Sequence, residues 1–248
     1  MQELKNILQT SGIITMKTEE KLLKTSTQNE PEHRQFTKFS KDYSKRRGLM
    51  LIESIREIRY DIGLRFKAKT FSNFDKSRSP AAYKICLEYA RNFLDNLKNG
   101  KGLFLTGNVG SGKTHLVVAI IDYIARIHKR KIKSFVTFKT SVNMLAEIKY
   151  SFDKNSTEQV IEDYENCCLL VIDDLGSEKT TDWTNELFYK IIDYRYSNLK
   201  PLIITTNLTD QELKEKLSER LISRIYEMCK GLKLTGKDYR LEKLRLNK

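Results

Sequence analysis

A glycine-rich stretch near the middle of the chain limits the possible folds more than any other feature. It runs from Gly107 to Thr114 and matches the pattern G-x-x-x-x-G-K-[ST] at every fixed position. Such glycines allow a tight loop whose backbone N–H groups surround phosphate groups. The apolar run before it, 102–106, predicts a buried strand, and the apolar stretch after it, 115–128, predicts a packed helix. Strand, loop and helix are the setting in which this motif binds a nucleoside triphosphate.

The motif gives its polar side chains separate tasks. Lys113 is predicted to reach the β- and γ-phosphates, and the Thr114 hydroxyl is predicted to hold Mg²⁺. A helix that begins at the lysine would also point its positive dipole end at the phosphates. The predicted nucleotide-binding residues are Gly107, Asn108, Val109, Gly110, Ser111, Gly112, Lys113, Thr114 and His115.

A pair of acids follows a run of purely apolar residues. Residues 169–172 are apolar, and Asp173 and Asp174 come directly after them. Acids at the carboxyl end of a parallel strand lie where open α/β sheets bind ligands. We expect Asp173 to hold Mg²⁺ and Asp174 to orient or deprotonate the water that attacks the γ-phosphate. A simple turn after a core strand is the alternative, and the upstream glycine loop favours catalysis.

Two later features are candidates to complete the site. Asn207 ends the predicted strand 201–206 and could hydrogen-bond the γ-phosphate or the attacking water, although a helix cap is an equally good local interpretation. Arg220 and Arg224 are four residues apart and therefore lie on one helix face. An arginine offered to the γ-phosphate of a neighbouring subunit is worth roughly 10³–10⁵ in rate. An exposed helix with Glu219 as an ion-pair partner is the alternative.

The alternation of strand-like and helix-like segments predicts an α/β domain with a parallel sheet covered by helices on both faces. Strands are predicted at 102–106, 133–138, 168–172, 201–206 and 231–235, and helices at 81–97, 115–128, 141–152, 158–164, 181–196 and 213–229.

The remaining sequence predicts a basic, helical N-terminal region over residues 1–65, ahead of a main domain over 66–248. The net charge of +13 favours a polyanionic partner, either nucleic acid or an anionic membrane surface. The four cysteines include no C-x-x-C pair, which argues against a zinc site. Because no apolar run approaches the roughly 20 residues that span a bilayer and no signal-peptide pattern opens the chain, we expect a cytoplasmic protein without a membrane partner.

Together these motifs resemble the AAA+ ATPases and, in more detail, the DnaC/DnaI family of replicative helicase loaders. The related IstB transposition ATPases share much of the set. The resemblance covers about residues 65–241. The stretches that carry it are 70–74 (TFSNF), 112–116 (GKTHL), 171–176 (VIDDLG), 195–196 (RY), 203–208 (IITTNL), 223–224 (SR) and 236–240 (GKDYR).

The resemblance implies roles by position. Asp173 and Asp174 become the two Walker B acids, Asn207 the sensor, and Arg224 the arginine finger, with Arg220 as the alternative. It also implies that ATP is bound with Mg²⁺, that the AAA+ domains associate side by side, and that the N-terminal region grips the hexameric replicative helicase.

Contact with single-stranded DNA is a further implication of the resemblance. The segment 140–164 would correspond to the extra helix of initiators and loaders, where Lys149 and Tyr150 could face single-stranded DNA through phosphate and stacking contacts.

Three departures from the AAA+ pattern stand out. Asp174 occupies a position where many AAA+ proteins have Glu, which suits slow hydrolysis and a switch. The few residues after Arg224 leave a truncated lid, so Arg240 is an open candidate for a second sensor. The N-terminal region lacks a cysteine cluster and is expected to be free of metal. Three rival functions remain at this point: an IstB-like transposition helper, a P-loop kinase of small nucleotides, and a nucleotide-dependent adaptor without useful turnover.

Overall fold

The computed structural model describes residues 62–128, 136–236, 238–239 and 241–242. These residues all belong to one unit of the chain, Leu51–Lys248. Nearly all of the predicted N-terminal region 1–65, together with Arg240, lies outside the described residues. Within the described part, no helix has the length and apolar character needed to cross a membrane.

The described residues contain one parallel five-stranded sheet. Its strands are β1 (Gly102–Gly107), β2 (Val136–Thr140), β3 (Leu169–Asp173), β4 (Leu202–Thr206) and β5 (Cys229–Leu234). They lie in the order β2-β3-β4-β1-β5, and each neighbouring pair is parallel. Strands β3 and β4 are buried along their whole length, as central strands of a parallel sheet covered on both faces should be. The predicted α/β fold with a parallel sheet is confirmed.

Helices connect the strands and cover both faces of the sheet. They are α1 (Pro80–Arg91), α2 (Phe93–Lys98), α3 (Lys113–His128), α4 (Ser141–Phe152), α5 (Thr157–Asn166), α6 (Asp182–Ser197), α7 (Asp210–Lys216) and α8 (Glu219–Met228). Three single-turn 3₁₀ helices precede them at Leu64–Phe66, Phe71–Asn73 and Lys76–Arg78.

Several predicted boundaries were wrong. The predicted helix 81–97 is divided at Asn92, and the predicted helix 213–229 is divided before Ser218. Ser218 starts a new helix because its hydroxyl accepts a hydrogen bond from the backbone N–H of Leu221, a standard N-cap. The second strand ends later than predicted, at Thr140, where the Thr140 hydroxyl caps α4.

Side chains alternate between two apolar cores, one on each face of the sheet. Leu103, Leu105 and Val171 pack with the helices α1 and α3. Phe104 and Ile172 point the other way, into a core shared with α4, α5, α6 and α8. This alternation follows from the two-residue repeat of a strand, and it leaves the carboxyl ends of the strands to carry the polar residues of the site.

A buried arginine joins the elements at the opposite, amino ends of the strands. The Arg195 side chain is fully buried, and its Nη1 donates to the carbonyls of Tyr164, Glu165 and Cys167 at 2.7, 3.1 and 2.9 Å. Its Nη2 donates to the Pro201 carbonyl at 2.7 Å. Burial lowers the pKa of Arg195. The side chain therefore links the end of α5 with the segments that enter β3 and β4.

Candidate functional site

The glycine loop joins β1 to α3, as its sequence predicts. Gly110 and Gly112 have φ angles of 72° and 102°, which side-chain-bearing residues rarely adopt. A side chain at Gly110 would also collide with Asp238, and one at Gly112 would press on the ring of Phe74. The backbone of the loop therefore depends on glycine at both positions.

Lys113 lies at the centre of the loop and is only 5% exposed. Its Nζ donates to the carbonyl oxygens of Gly107 and Asn108 at 2.7 and 2.9 Å. It also donates to Oδ1 of Asn207 at 2.6 Å. The lysine and the predicted sensor asparagine, far apart in sequence, are thus in direct contact.

Thr114 and Asp173 meet as the sequence predicts for a magnesium site. The Thr114 hydroxyl donates to the two carboxylate oxygens of Asp173 at 3.0 and 3.1 Å. Thr205, which sequence reasoning missed, donates to the same carboxylate at 2.6 Å. Burial raises the pKa of Asp173 to about 6, and the nearby Asp174 adds to the rise, while the hydrogen bond from Thr205 opposes it. A hydroxyl and a carboxylate are hard oxygen ligands of the kind that Mg²⁺ accepts.

Asp174 is held from several sides in an unusual backbone conformation. Its φ is 57°, in the left-handed region. Its N–H donates to the Thr205 hydroxyl at 2.9 Å, and its carbonyl accepts from the Ser141 hydroxyl at 2.9 Å. Its side chain accepts from Nδ2 of Asn207 at 2.8 Å. Asn207 therefore bridges Lys113 and the second acid.

Lys113, Thr114, Asp174 and Asn207 border a cavity of about 620 Å³, whereas Asp173 does not line it. One wall is the glycine loop with Asp174 and Asn207, and the other comes from the segment before α1, including Arg65, Phe66 and Phe74. This second wall was missed as a site, although its TFSNF stretch was part of the family resemblance. A cavity of this size, with the glycine loop on one side and the rings of Phe66 and Phe74 on the other, can hold a nucleotide.

His115 borders the cavity but is also used in packing. Its Nε2 is 2.9 Å from the carbonyl of Thr70, and its ring meets that of Phe74 edge-on at 5.1 Å. Burial lowers the pKa of His115. The histidine therefore anchors the wall before α1 to the first turn of α3.

The end of the described chain covers the glycine loop. The backbone N–H of Tyr239 donates to the Gly110 carbonyl at 3.2 Å. Arg78, from the wall before α1, forms an ion pair with Glu242 and lies 5.3 Å from the centre of the Tyr239 ring. Sequence reasoning expected a truncated lid here and did not predict this contact between the two ends of the domain.

The structure does not bring the two candidate arginines to the cavity of their own chain. Both lie on α8, and neither lines the cavity. Arg220 is exposed. Arg224 donates from Nε to Oδ1 of Asp193 at 2.8 Å, and its guanidinium lies 4.4 Å from the centre of the Tyr196 ring.

The candidate DNA-binding residues lie at the end of α4. The predicted segment 140–164 consists of α4 and α5 with a short turn between them. Lys149 and Tyr150 are exposed, and Tyr150 is 64% accessible. The Lys149 amine lies 5.2 Å from the centre of the Trp183 ring.

Residues 58–247 match the family model described as IstB-like ATP binding protein, which is more than half of the chain. The chain belongs to this family. Among solved structures, the crystal structure of the DnaC helicase loader is similar with a TM-score of 0.61 and 32% identity, covering 71% of this chain and all of that one. The predicted membership of the DnaC/IstB-like family, the AAA+ fold and the ATPase class are confirmed.

Two curated proteins of Bacillus subtilis (strain 168) are also similar. YqaM is 32% identical over 176 residues, covering 66% of this chain and 54% of YqaM. The replicative helicase loader DnaI is 27% identical over 154 residues, covering 57% of this chain and 48% of DnaI. The chain thus spans about half the length of these two relatives.

Proposed function

We propose that this IstB-like ATPase is an ATP-controlled loader of a hexameric replicative helicase, with single-stranded DNA as a second ligand. The observation that carries the proposal is the 32% identity with the DnaC helicase loader over the whole of that structure. The similarity to DnaI, also named as a replicative helicase loader, supports it. On this proposal residues 1–65 bind the helicase, residues 66–248 form the ATPase domain, and the protein works in the cytoplasm.

The glycine loop would take the phosphates of ATP. The buried hydroxyl of Ser111 has no hydrogen-bond partner among the described residues, and a phosphate oxygen would supply one. Lys113 is held by two loop carbonyls and by Asn207, and a γ-phosphate would compete for its amine as a stronger, charged acceptor. The residues present therefore fit a triphosphate.

Thr114 and Asp173 would hold the magnesium ion that neutralises charge on the β- and γ-phosphates. Their oxygens already lie within 3.1 Å of each other. Because burial raises the pKa of Asp173 to about 6, this carboxylate is costly to ionise without a cation beside it. A cation site is the chemical setting in which such a carboxylate is stable.

Asp174 would orient the attacking water, with Asn207 as its positioning partner. Asn207 contacts Lys113 through Oδ1 and Asp174 through Nδ2. A γ-phosphate that draws Lys113 away would leave Asn207 free to contact the phosphate while it still holds the acid. The asparagine thereby links the arrival of ATP to the position of the catalytic carboxylate. Asp is one methylene shorter than Glu, which favours slow hydrolysis and a switch.

Self-association would complete the site. Arg224 lies outside the cavity of its own chain, and we propose that it acts on the γ-phosphate bound by a neighbouring copy, with Arg220 as the alternative. Lys149 and Tyr150 would contact single-stranded DNA from the exposed end of α4.

Co-elution with the replicative helicase of the host tests the proposal. The full chain and the helicase are run together on size exclusion with ATP and Mg²⁺. We expect one joint peak, which is lost when residues 1–65 are removed. The Lys113→Ala variant, which should lose ATP binding, serves as the matched control. Its elution with the helicase should be the same with and without ATP. Separate elution under all these conditions would overturn the helicase proposal.

A transposition helper is the second candidate, because the matching family model is described as IstB-like. The two candidates share the ATPase site and differ in the partner. Co-elution with a transposase, and not with the helicase, would favour the second candidate. An adaptor without turnover is tested separately: Asp174→Asn should leave its activity intact, whereas a loader that needs hydrolysis would stop after one round.

A further inference from the structure

Arg224 is held on two sides by residues of a different helix. Asp193 and Tyr196 both lie on α6, and Arg224 lies on α8. The Nε of Arg224 donates to the Asp193 carboxylate at 2.8 Å, and the guanidinium plane lies over the Tyr196 ring at 4.4 Å. The hydrogen bond to Asp193 raises the pKa of Arg224. The side chain is thus fixed at one edge and on one face.

The tyrosine of this arrangement is itself anchored. Its Oη donates to Oε1 of Glu227 at 2.7 Å, and Glu227 lies on the same helix as Arg224. This hydrogen bond raises the pKa of Tyr196. The ring is therefore held in place by a residue one turn beyond the arginine that it stacks on.

The contacts use only part of the guanidinium. An arginine has five N–H donors, one on Nε and four on the two Nη atoms. Among the described residues, the structure records an acceptor for the Nε donor only. The two Nη atoms form the fork that binds a phosphate through two parallel hydrogen bonds. The Arg224 side chain is 34% exposed, so this fork can be reached from outside the chain.

Arg220 lacks such an arrangement. It lies one turn earlier on α8, is exposed, and has no recorded hydrogen bond or ion pair among the described residues. A free arginine side chain loses much of its rotamer entropy when it binds, whereas a side chain that is already fixed loses less. Of the two arginines left open by the sequence, Arg224 is the preorganised one.

We propose that Asp193 and Tyr196 are positioning residues that hold Arg224 ready for the γ-phosphate bound by a neighbouring copy of this chain. The inference rests on the proposed self-association. It gives α6 a function in ATP hydrolysis although neither Asp193 nor Tyr196 lines the nucleotide cavity. An ordinary ion pair between two helices is the competing explanation, and it predicts no effect on catalysis.

The first test measures ATP hydrolysis at increasing protein concentration. The variants Asp193→Ala and Tyr196→Leu should lower kcat by about tenfold or more, part of the roughly 10³–10⁵ that a finger supplies. Their KM for ATP and their melting temperatures should stay close to those of the unmodified protein. Asp193→Asn retains an acceptor oxygen, so its kcat should lie between that of Asp193→Ala and that of the unmodified protein. This variant remains informative if the alanine variant folds poorly.

Arg126→Ala is the matched control. Arg126 is an exposed arginine whose Nε donates to a carboxylate of Asp122 at 2.7 Å, which is the same chemistry on α3. Its removal should leave kcat unchanged.

The second test mixes inactive and weakened chains. Lys113→Ala chains do not hydrolyse ATP but carry an intact Arg224 arrangement, and Asp193→Ala chains have an intact nucleotide site. When the two are mixed, hydrolysis per Asp193→Ala chain should rise severalfold, because half of the neighbours then supply a positioned arginine. A purely structural defect in Asp193→Ala would not be repaired by a neighbour.

The outcomes separate this inference from the function on which it rests. Loss of kcat in Arg224→Ala together with full activity in Asp193→Ala and Tyr196→Leu would overturn the positioning role and leave the finger intact. A loss in Asp193→Ala that mixing does not repair would also overturn it. Full activity in Arg224→Ala would instead remove the proposed finger role of Arg224, and the positioning role with it.

Discussion

Two buried cations of this domain can be compared directly. Lys113 is 5% exposed at the carboxyl ends of the strands, and Arg195 is fully buried at the amino ends. Both donate to backbone carbonyls. The carbonyls around Arg195 belong to the last turn of α5 and to the segments that enter two central strands. The acceptors around Lys113 are the carbonyls of Gly107, where β1 ends, and Asn108 in the glycine loop, together with the side chain of Asn207.

The difference concerns whether the acceptors can be exchanged. The carbonyls around Arg195 lie in the last turn of α5 and just before the two central strands, so the arginine is committed to holding those segments together. The acceptors around Lys113 can be replaced by phosphate oxygens without unfolding a strand. Burial of a charge alone therefore does not indicate a functional site. Whether its hydrogen-bond acceptors can be exchanged for those of a ligand is the better criterion.

The largest expected effect is the loss of stability when Arg195 is replaced. Arg195→Met should lower the free energy of unfolding by at least about 3 kcal/mol, since it leaves several buried carbonyls without a donor at roughly 1–3 kcal/mol each. Urea denaturation measures the change. Arg91→Met, at an exposed arginine on α1, is the matched control and should shift stability by less than about 0.5 kcal/mol. Equal effects of the two changes would contradict the structural role.

Lys113 should behave in the opposite way. Lys113→Ala should weaken ATP binding by about 100-fold or more, because charge-assisted hydrogen bonds contribute roughly 1.5–3 kcal/mol each and two of them are lost. Titration calorimetry measures the affinity. The free energy of unfolding should change by less than about 1 kcal/mol, because the loop carbonyls can turn to water. An unfolded Lys113→Ala variant would remove the contrast with Arg195.

Asp173 should make stability depend on pH in a direction set by its raised pKa. The pKa is about 6 in the folded chain against 3.8 as the reference, so the folded state retains this proton more strongly. Its contribution to stability is complete below pH 4 and is lost as the pH rises through 6.

The Asp173→Asn variant isolates this effect because asparagine does not titrate. Relative to the unmodified protein, the variant should gain up to about 3 kcal/mol of stability between pH 4 and pH 7, at 1.36 kcal/mol per pKa unit. Adding Mg²⁺ above pH 6 should narrow the gap by stabilising the ionised carboxylate. A constant gap across the range would contradict the raised pKa.

The smallest expected effect is at an exposed cation. Arg126 is 62% exposed at its side chain and pairs with Asp122 at 2.7 Å. Arg126→Ala should change the free energy of unfolding by about 0.5 kcal/mol or less, as is usual for exposed ion pairs. Thermal unfolding at low and high salt measures it. A loss of stability comparable to that of Arg195→Met would show that burial does not determine how much a cation contributes to stability.

Local motifs made the centre of the site predictable. The glycine loop and the acids after β3 are short patterns tied to known chemistry, and the contact between Thr114 and Asp173 agrees with the predicted magnesium ligands. Thr205 was not predictable in this way, because a threonine in a buried strand has no signature until the neighbouring strand is known. The roles of the individual site residues stay predictions.

The remaining features depend on tertiary structure. The sequence singled out Arg195 only as part of a shared motif, and an arginine in the last turn of a helix is normally exposed. The divisions of the predicted helices at Asn92 and Ser218 were not predictable from the pattern, because apolar periodicity continues across both breaks. The wall formed by Phe66 and Phe74 required knowledge of how the segment before α1 returns to the glycine loop.

The left-handed backbone of Asp174 restricts which residues natural selection or an engineer can place there. Aspartate and asparagine tolerate φ near 57°, whereas most other side chains cost roughly 1–2 kcal/mol in that region. Replacement with glutamate would therefore extend the carboxylate toward the water but would strain the turn that orients this carboxylate. Glycine would relax the turn and delete the acid. Asparagine alone preserves the shape while removing the base, which makes it the natural choice for arresting the protein with ATP intact.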